Sequence, residues 1–349
     1  MHRHIIDIDS TLLQALERLN ALPGGSMTLF ATDAERHIAG SVTDGDIRRA
    51  LISGSALTSP VREAMRSRFV ALHEGDDPLD VLAECRRRGI RLLPRLGSDG
   101  SLVEIIDLNR VHSILPLSAI LMAGGKGERL RPATLTTPKP LLQIEGKAII
   151  DYNVEALAAA GITDITVTTR YLADMISEHF SRPVAGVKVK CVLEDRPLGT
   201  IGSARLAGLP DEGCSIVMNS DLITTISFEE LYLKHRDSNA EATVAVIPYQ
   251  VSVPYAILTL DGDRVSGIAE KPSYSYYANA GIYIFNNRLL NSLEPDTRTD
   301  ATDLIEQIIA RGGRVSYYPI KGTWIDVGSP VDFRQATELM RHHNNLTKN

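Results

Sequence analysis

A chain of 349 residues, 44% hydrophobic and 23% charged, is long enough for two globular domains with a core each. No apolar run approaches the ~20 residues that span a bilayer, which argues against a membrane protein. A net charge of −6 argues against a generic nucleic-acid binder. The cysteines, Cys85, Cys191 and Cys214, form no close pair and have no metal-ligand spacing, and none of the histidines shows ligand spacing either. With Met1-His2-Arg3-His4 leading into no apolar signal region, a cytoplasmic protein without disulfides or zinc is expected.

From the N-terminus, Leu12, Leu13, Leu16, Leu19 and Leu22 recur at helical spacing behind Asp9 and Ser10, both good N-cap residues, and Pro23-Gly24-Gly25 stops the pattern. Strands are expected over 27–32 and 37–42, after which Thr43-Asp44-Gly45-Asp46 opens a helix over 47–52. The order then returns. Asp77-Pro78 caps a helix to Arg88, strands follow over 90–96 and 102–106, and Asp107 opens a helix over 108–115. Helix, strand, strand, helix, twice over, predicts an internal duplication with Asp44 and Asp107 equivalent.

From Leu117 the rhythm changes. Strand 117–122, helix 149–160, strand 165–169, helix 173–180 and strand 187–193 alternate, which predicts a mainly parallel sheet with helices on both faces. Later strands over 242–248, 256–260 and 281–285 have hairpin-like spacing and make the sheet mixed, with a substrate-side subdomain. Two domains are expected, 1–116 and 117–349, an α+β module followed by an α/β one.

The chemistry gathers in the second. Leu121-Met122-Ala123-Gly124-Gly125-Lys126-Gly127-Glu128-Arg129-Leu130-Arg131-Pro132 is a glycine-rich loop behind an apolar strand, suited to backbone contact with phosphates. Between Gly124 and Lys147 five cations face two carboxylates, a local positive patch in an acidic protein. The loop is not a Walker loop, because no Gly-Lys-Ser/Thr follows. Leu130 stands where the last glycine of a dinucleotide fingerprint belongs, which weakens an NAD-linked dehydrogenase.

The loop resembles the Gly-Gly-x-Gly-x-Arg-Leu signature of nucleotidyltransferases acting on sugar 1-phosphates. Six further blocks follow in that family's order: Thr137-Pro138-Lys139-Pro140, Pro197-Leu198-Gly199-Thr200, Asn219-Ser220-Asp221-Leu222, Glu270-Lys271-Pro272, Asn279-Ala280-Gly281-Ile282-Tyr283 and Trp324-Ile325-Asp326-Val327-Gly328. The resemblance implies a Rossmann-like, GT-A-like fold and the joining of a nucleoside triphosphate to a sugar 1-phosphate with release of pyrophosphate. It also implies roles. Arg129, Lys139 and Lys271 would be catalytic; Ala123, Gly124, Gly125, Gly127, Gly199 and Thr200 would bind the nucleotide; Glu270, Asn279 and Gly281 the sugar; and Asp221 and Asp326 Mg²⁺. Leu198-Gly199-Thr200 resembles the form found in guanylyltransferases, and uridylyl and thymidylyl relatives carry similar loops.

The first domain resembles a pair of CBS motifs, through Gly40-Ser41-Val42-Thr43-Asp44-Gly45-Asp46-Ile47. That resemblance implies an adenine nucleotide held by Thr43 and Asp46 and a homodimer. The second half, Glu104-Ile105-Ile106-Asp107-Leu108-Asn109, lacks the threonine, so one ligand site is expected. A CBS pair before such an enzyme resembles the guanylyltransferases supplying GDP-glucosamine for legionaminic acid, which implies GTP as the nucleotide and glucosamine 1-phosphate as the acceptor. Mannose- or heptose-1-phosphate guanylyl transfer and uridylyl or thymidylyl transfer are the alternatives within the family. A different class is a nucleotide sensor whose transferase domain is inactive. No left-handed helical repeat follows the transferase region, so an acetyltransferase activity is not expected.

Overall fold

In the computed structural model, which describes residues 2–23 and 26–346, the chain divides into two units, 1–115 and 116–349. The first holds strands β1 (Ile5–Asp7), β2 (Thr28–Thr32) and β3 (Ile38–Thr43) in one sheet, β1 parallel and β3 antiparallel to β2. Strand β1 was not expected, because three residues are too short to show alternation. Helix α1 (Leu12–Asn20) starts at Thr11 rather than at Asp9 or Ser10. The Thr11 hydroxyl accepts from Gln14 N at 3.2 Å while the Gln14 side chain accepts from Thr11 N at 2.9 Å, a closed capping box. Leu12, Ala15 and Leu19 of this helix pack with Ile6, Leu29, Val42 and Ile47. Of the expected stop, Gly24 and Gly25 lie outside the described residues.

Helix α2 (Asp44–Ile52) follows β3. In the second half, α3 (Pro78–Arg88) is capped by Asp77, which accepts from Leu79 N at 2.9 Å, and antiparallel β4 (Leu92–Leu96) and β5 (Leu102–Asp107) follow. The helix expected over 108–115 does not form. Asp107 instead accepts from both the backbone and the side chain of Asn109, at 3.0 and 2.9 Å, closing a local turn that competes with helix initiation. Downstream, Pro116 biases Leu115 toward extended backbone. The two halves are thus unequal.

The second unit is built on a seven-stranded sheet. Its members are β6 (Leu117–Ala123), β7 (Ile165–Thr169), β8 (Lys190–Leu193), β9 (Cys214–Asn219), β11 (Ala242–Ser252), β14 (Ser273–Asn286) and β15 (Val315–Pro319). The order is β8-β7-β6-β9-β14-β11-β15, with β14 antiparallel to both neighbours and every other pair parallel. The mixed, mainly parallel sheet expected from the alternation is present. Helices α4 (Ile149–Ala159) and α5 (Ala173–His179) fall close to expectation. Ile120, Val217, Tyr283 and Phe285 of the sheet are buried with Leu304 and Ile308 from helix α7 (Ala301–Ala310). Helix α6 (Phe228–Asp237) lies between β9 and β11 in the chain, and α8 (Pro330–Leu346) ends the described chain.

Two features position the site. The carboxyl ends of β6, β9 and β11 share one edge of the sheet, where ligands bind in open α/β folds. A short antiparallel pair, β10 (Leu222–Thr224) and β16 (Trp324–Asp326), sets Leu222 opposite Asp326, and Val327 N donates to Asp221 O at 3.1 Å. Residues a hundred positions apart are brought to one point. Beyond the same edge, β11 and β14 run on as a two-stranded ribbon that ends in the hairpin of β12 (Ile257–Asp261) and β13 (Arg264–Ala269).

Candidate active site

At the carboxyl edge lies a cavity of about 700 Å³, lined by the glycine loop, Arg129, Lys139, Arg170, Glu194, Gly199, Thr200, Asp221 and Asp326. The Lys139 ammonium touches the Asp221 carboxylate and stands 3.5 Å from Asp326 Oδ1. Arg129 reaches the same corner, because a Cβ placed on Gly328 would lie 2.9 Å from Arg129 Nη2. Burial and the neighbouring Asp221 push the Asp326 carboxyl up from its ordinary value, against the pull of Lys139 and Arg129. Two carboxylates and two cations therefore meet in one pocket.

The glycine loop is held from behind. Thr134 Oγ1 donates to Gly127 O at 2.8 Å. Opposite, Gly199 sits at φ 80°, and a Cβ there would lie 2.5 Å from Thr299 O, so the turn accepts only glycine. Thr200 N donates to Asp300 Oδ1 at 2.9 Å, and Ala301 N donates to Thr200 Oγ1 at 2.8 Å. The loop is thereby clamped to the start of α7.

Of the residues singled out in the sequence, Ala123, Gly124, Gly125, Gly127, Arg129, Lys139, Gly199, Thr200, Asp221 and Asp326 all line this cavity. Asn279 and Gly281 sit at the foot of the ribbon. Gly281, at φ 69°, backs onto Asn219, and the Asn279 side chain is used locally, accepting from Gly281 N and donating to Tyr283 Oη, each at 2.9 Å. Glu270 and Lys271 are not among the lining residues and stand exposed at the ribbon's outer part. Trp324 donates Nε1–H to Ala280 O at 2.8 Å, a packing role that ties β16 to β14.

Glu194 went unnoticed in the sequence. It is 5% exposed, and its two carboxylate oxygens would lie 3.1 and 3.2 Å from a Cβ on Gly124, so it faces the start of the glycine loop. Its signal was its place, one residue past the carboxyl end of β8. Arg170 and Arg298 also line the cavity without belonging to a recognised block.

The two aspartates form the set a hard cation would use. Asp326 Oδ1 is buried and accepts no hydrogen bond, and no cluster of three or more His, Cys, Asp or Glu occurs among the described residues. A pair of carboxylates with room beside it fits an ion that shares its shell with phosphates and water, as Mg²⁺ does.

The nucleotidyl transferase family model matches residues 118–343. The chain belongs to the nucleotidyl transferase family. The mannose-1-phosphate guanyltransferase of Neurospora crassa is 31% identical over 242 residues, covering 66% of this chain and 66% of that protein. The enzyme of the same name from Aspergillus oryzae is 34% identical over 233 residues, covering 64% of each. The chain thus spans just under two thirds of the length of these relatives. Among solved structures, HddC from Yersinia pseudotuberculosis matches with a TM-score of 0.51 and 25% identity, covering 64% of this chain and 99% of that one.

In the first unit a cavity of about 750 Å³ is lined by Thr43, Asp46, Phe30, Phe69, Arg66 and Arg91, among others. Thr43 and Asp46 close on each other: Thr43 N and Oγ1 both donate to Asp46 Oδ2, at 3.0 and 2.5 Å. Arg66 and Arg49 donate to Asp46 Oδ1. Burial alone would raise the Asp46 carboxyl, but these hydrogen bonds outweigh it and hold it below its ordinary value. No helix among the described residues is long and apolar enough to cross a membrane.

Proposed function

We propose that this chain joins a nucleoside triphosphate to a sugar 1-phosphate. A phosphate oxygen of the sugar attacks the α-phosphorus, the bond to the bridging oxygen of the β-phosphate breaks, and pyrophosphate leaves with that electron pair. The carrying observation is the convergence of Arg129, Lys139, Asp221 and Asp326 on one cavity with the glycine loop. Two anions meet in this reaction, so neutralising and aligning them is the main catalytic work, and the ionised nucleophile requires no general base. Arg129 and the glycine-loop amides would hold the triphosphate, and Lys139 would stabilise charge growing at the α-phosphate. Asp221 and Asp326 would hold Mg²⁺, which supplies charge neutralisation at the phosphate oxygens.

The base we favour is guanine. Glu194 is a buried carboxylate beside the loop, and guanine alone among the common bases offers N1–H and an amino group as parallel donors to two carboxylate oxygens. The names of the relatives agree with this reading. For the sugar, the N-terminal module points to glucosamine 1-phosphate and a GDP-glucosamine product for a surface glycan; the names of the relatives favour mannose 1-phosphate. Pyrophosphate release with GTP, ATP, UTP and dTTP against glucosamine, mannose and heptose 1-phosphates tests both choices at once. Silence with every pair overturns the transferase and favours a sensor.

The first unit we read as a regulatory nucleotide pair. The support is a cavity with arginines and two phenyl rings 6.4 Å apart, a lining suited to a base and its phosphates. Since Thr43 and Asp46 are already bonded to each other, ribose would compete with that capping box. Calorimetry of the full chain with AMP, ADP and ATP should show binding by one of them; no heat with any of the three removes this role.

A further inference from the structure

We propose that Lys139 holds the metal's place: its ammonium keeps the seat between Asp221 and Asp326 until a nucleotide phosphate takes it, so the divalent cation binds together with the nucleotide rather than before it. The exchange rests on the transferase reading above; the competition for the two carboxylates rests on geometry. The Lys139 ammonium touches Asp221 and stands 3.5 Å from Asp326 Oδ1. A Mg²⁺ ion shared by those carboxylates would hold their oxygens at about 2.1 Å. Ammonium and ion cannot both have that seat, because the repulsion between like charges is steep at such short range. The ammonium is also an incomplete match for it. Asp326 Oδ1 is buried and accepts no hydrogen bond, a cost that a cation bonded to that oxygen removes.

The side chain is mounted so that it can make this exchange. Pro138 and Pro140 flank Lys139, and its backbone is closed into a short turn, with Leu141 N donating to Pro138 O at 2.9 Å and Leu142 N to Lys139 O at 3.1 Å. The root of the side chain packs on the glycine loop, since a Cβ on Gly127 would lie 3.0 Å from Lys139 Cβ. From a fixed backbone, one flexible stem therefore reaches from the glycine loop to the aspartates. A triphosphate on that loop brings its oxygens alongside the same stem, and rotation within the stem hands the ammonium from carboxylate to phosphate. Charge favours a joint move. With the ammonium in place the aspartate pair keeps one net negative charge. Losing the ammonium alone would bare two beside a polyanion, whereas a divalent cation arriving in the same step neutralises both.

The test titrates the full chain with Mn²⁺ and follows the loss of the free ion's paramagnetic signal, a readout that needs no turnover. Without nucleotide the wild type should bind Mn²⁺ weakly; micromolar binding overturns the proposal whatever the variants do. Lys139→Met keeps the apolar stem and removes the charge, and should bind Mn²⁺ at least ~10-fold tighter than the wild type. Lys139→Gln serves as a second variant should the first fail to fold. Equal affinities in wild type and variant overturn the competition. Adding Asp221→Asn to Lys139→Met should abolish the gain, and a gain that persists puts the ion elsewhere and overturns it too. For the exchange, both titrations are repeated with a saturating α,β-methylene analogue of GTP, or of the triphosphate that the substrate panel selects. The analogue's own hold on Mn²⁺ is common to both chains, so the ratio of its effects isolates the lysine. It should tighten Mn²⁺ binding at least ~10-fold more in the wild type than in Lys139→Met; an equal effect overturns the exchange. Should the wild type prove inactive with every substrate pair, the transferase reading falls, and the nucleotide-free titration still decides whether Lys139 and the metal compete.

Discussion

The Pro-Lys block picked out Lys139 in the sequence, but not its setting. It is only 8% exposed, with its ammonium between two aspartates. Removing it strands two carboxylates against each other, so Lys139→Ala should lower stability by about 2–4 kcal/mol as well as turnover. Denaturant unfolding separates the two effects, and added Mg²⁺ should restore part of the stability but not the rate. Glu194 is the converse case, a residue chosen by no motif and found only by where the chain folds. Glu194→Gln keeps its shape and exchanges one acceptor for a donor. The expected outcome is a rise of roughly 10–100-fold in KM for GTP, the worth of one bidentate base contact, with narrowed preference over ATP and UTP. Unaltered preference in the substrate panel takes Glu194 out of base recognition.

Among elements, those with strong periodicity were readable and those decided by local competition were not. The alternation from 117 to 193 gave the parallel strands β6, β7 and β8 because each needs a helix to cross back. The helix read over 108–115 failed because the Asp107 side chain satisfied Asn109 first. The loop at 197–203 shows how an element can hold a site through one glycine. Gly199→Ala places a methyl into Thr299 O at a φ of 80°. It should cost about 1–3 kcal/mol of stability and raise KM for the nucleotide more than it changes kcat, as steady-state kinetics would show. Helix α6 is tied to the sheet by a buried histidine, with Nδ1 2.9 Å from Thr243 Oγ1 and Nε2 3.1 Å from Asn286 Oδ1. Burial holds this imidazole below its ordinary 6.5, against the Asn286 hydrogen bond, so the native state keeps it neutral. Its contribution is complete above pH 6.5 and is lost as pH falls toward the depressed native value, where the unfolded chain binds the proton first. Thermal melts from pH 7.5 to 5 should therefore slope less in His235→Gln than in the wild type. Parallel slopes would refute that linkage.

For the whole molecule, each unit has its own hydrophobic core, and the two cavities lie in different units. Calorimetric melts should show a ligand at the first cavity stabilising one transition and GTP with Mg²⁺ stabilising another, each by about 2.7 kcal/mol at a hundredfold excess over Kd. A single transition shifted equally by both would mean the units unfold together. The sequence by itself determined the alternation behind the mixed sheet and the glycine-rich loop that follows β6, because periodicity and glycine placement are local properties of the chain. Only the tertiary structure decided that Asp221 and Asp326 share one ammonium, that Glu194 faces the loop and that Lys271 stands apart on a ribbon. Those outcomes depend on strand order and register across a hundred residues, and such long-range pairing leaves no mark in any short window of sequence.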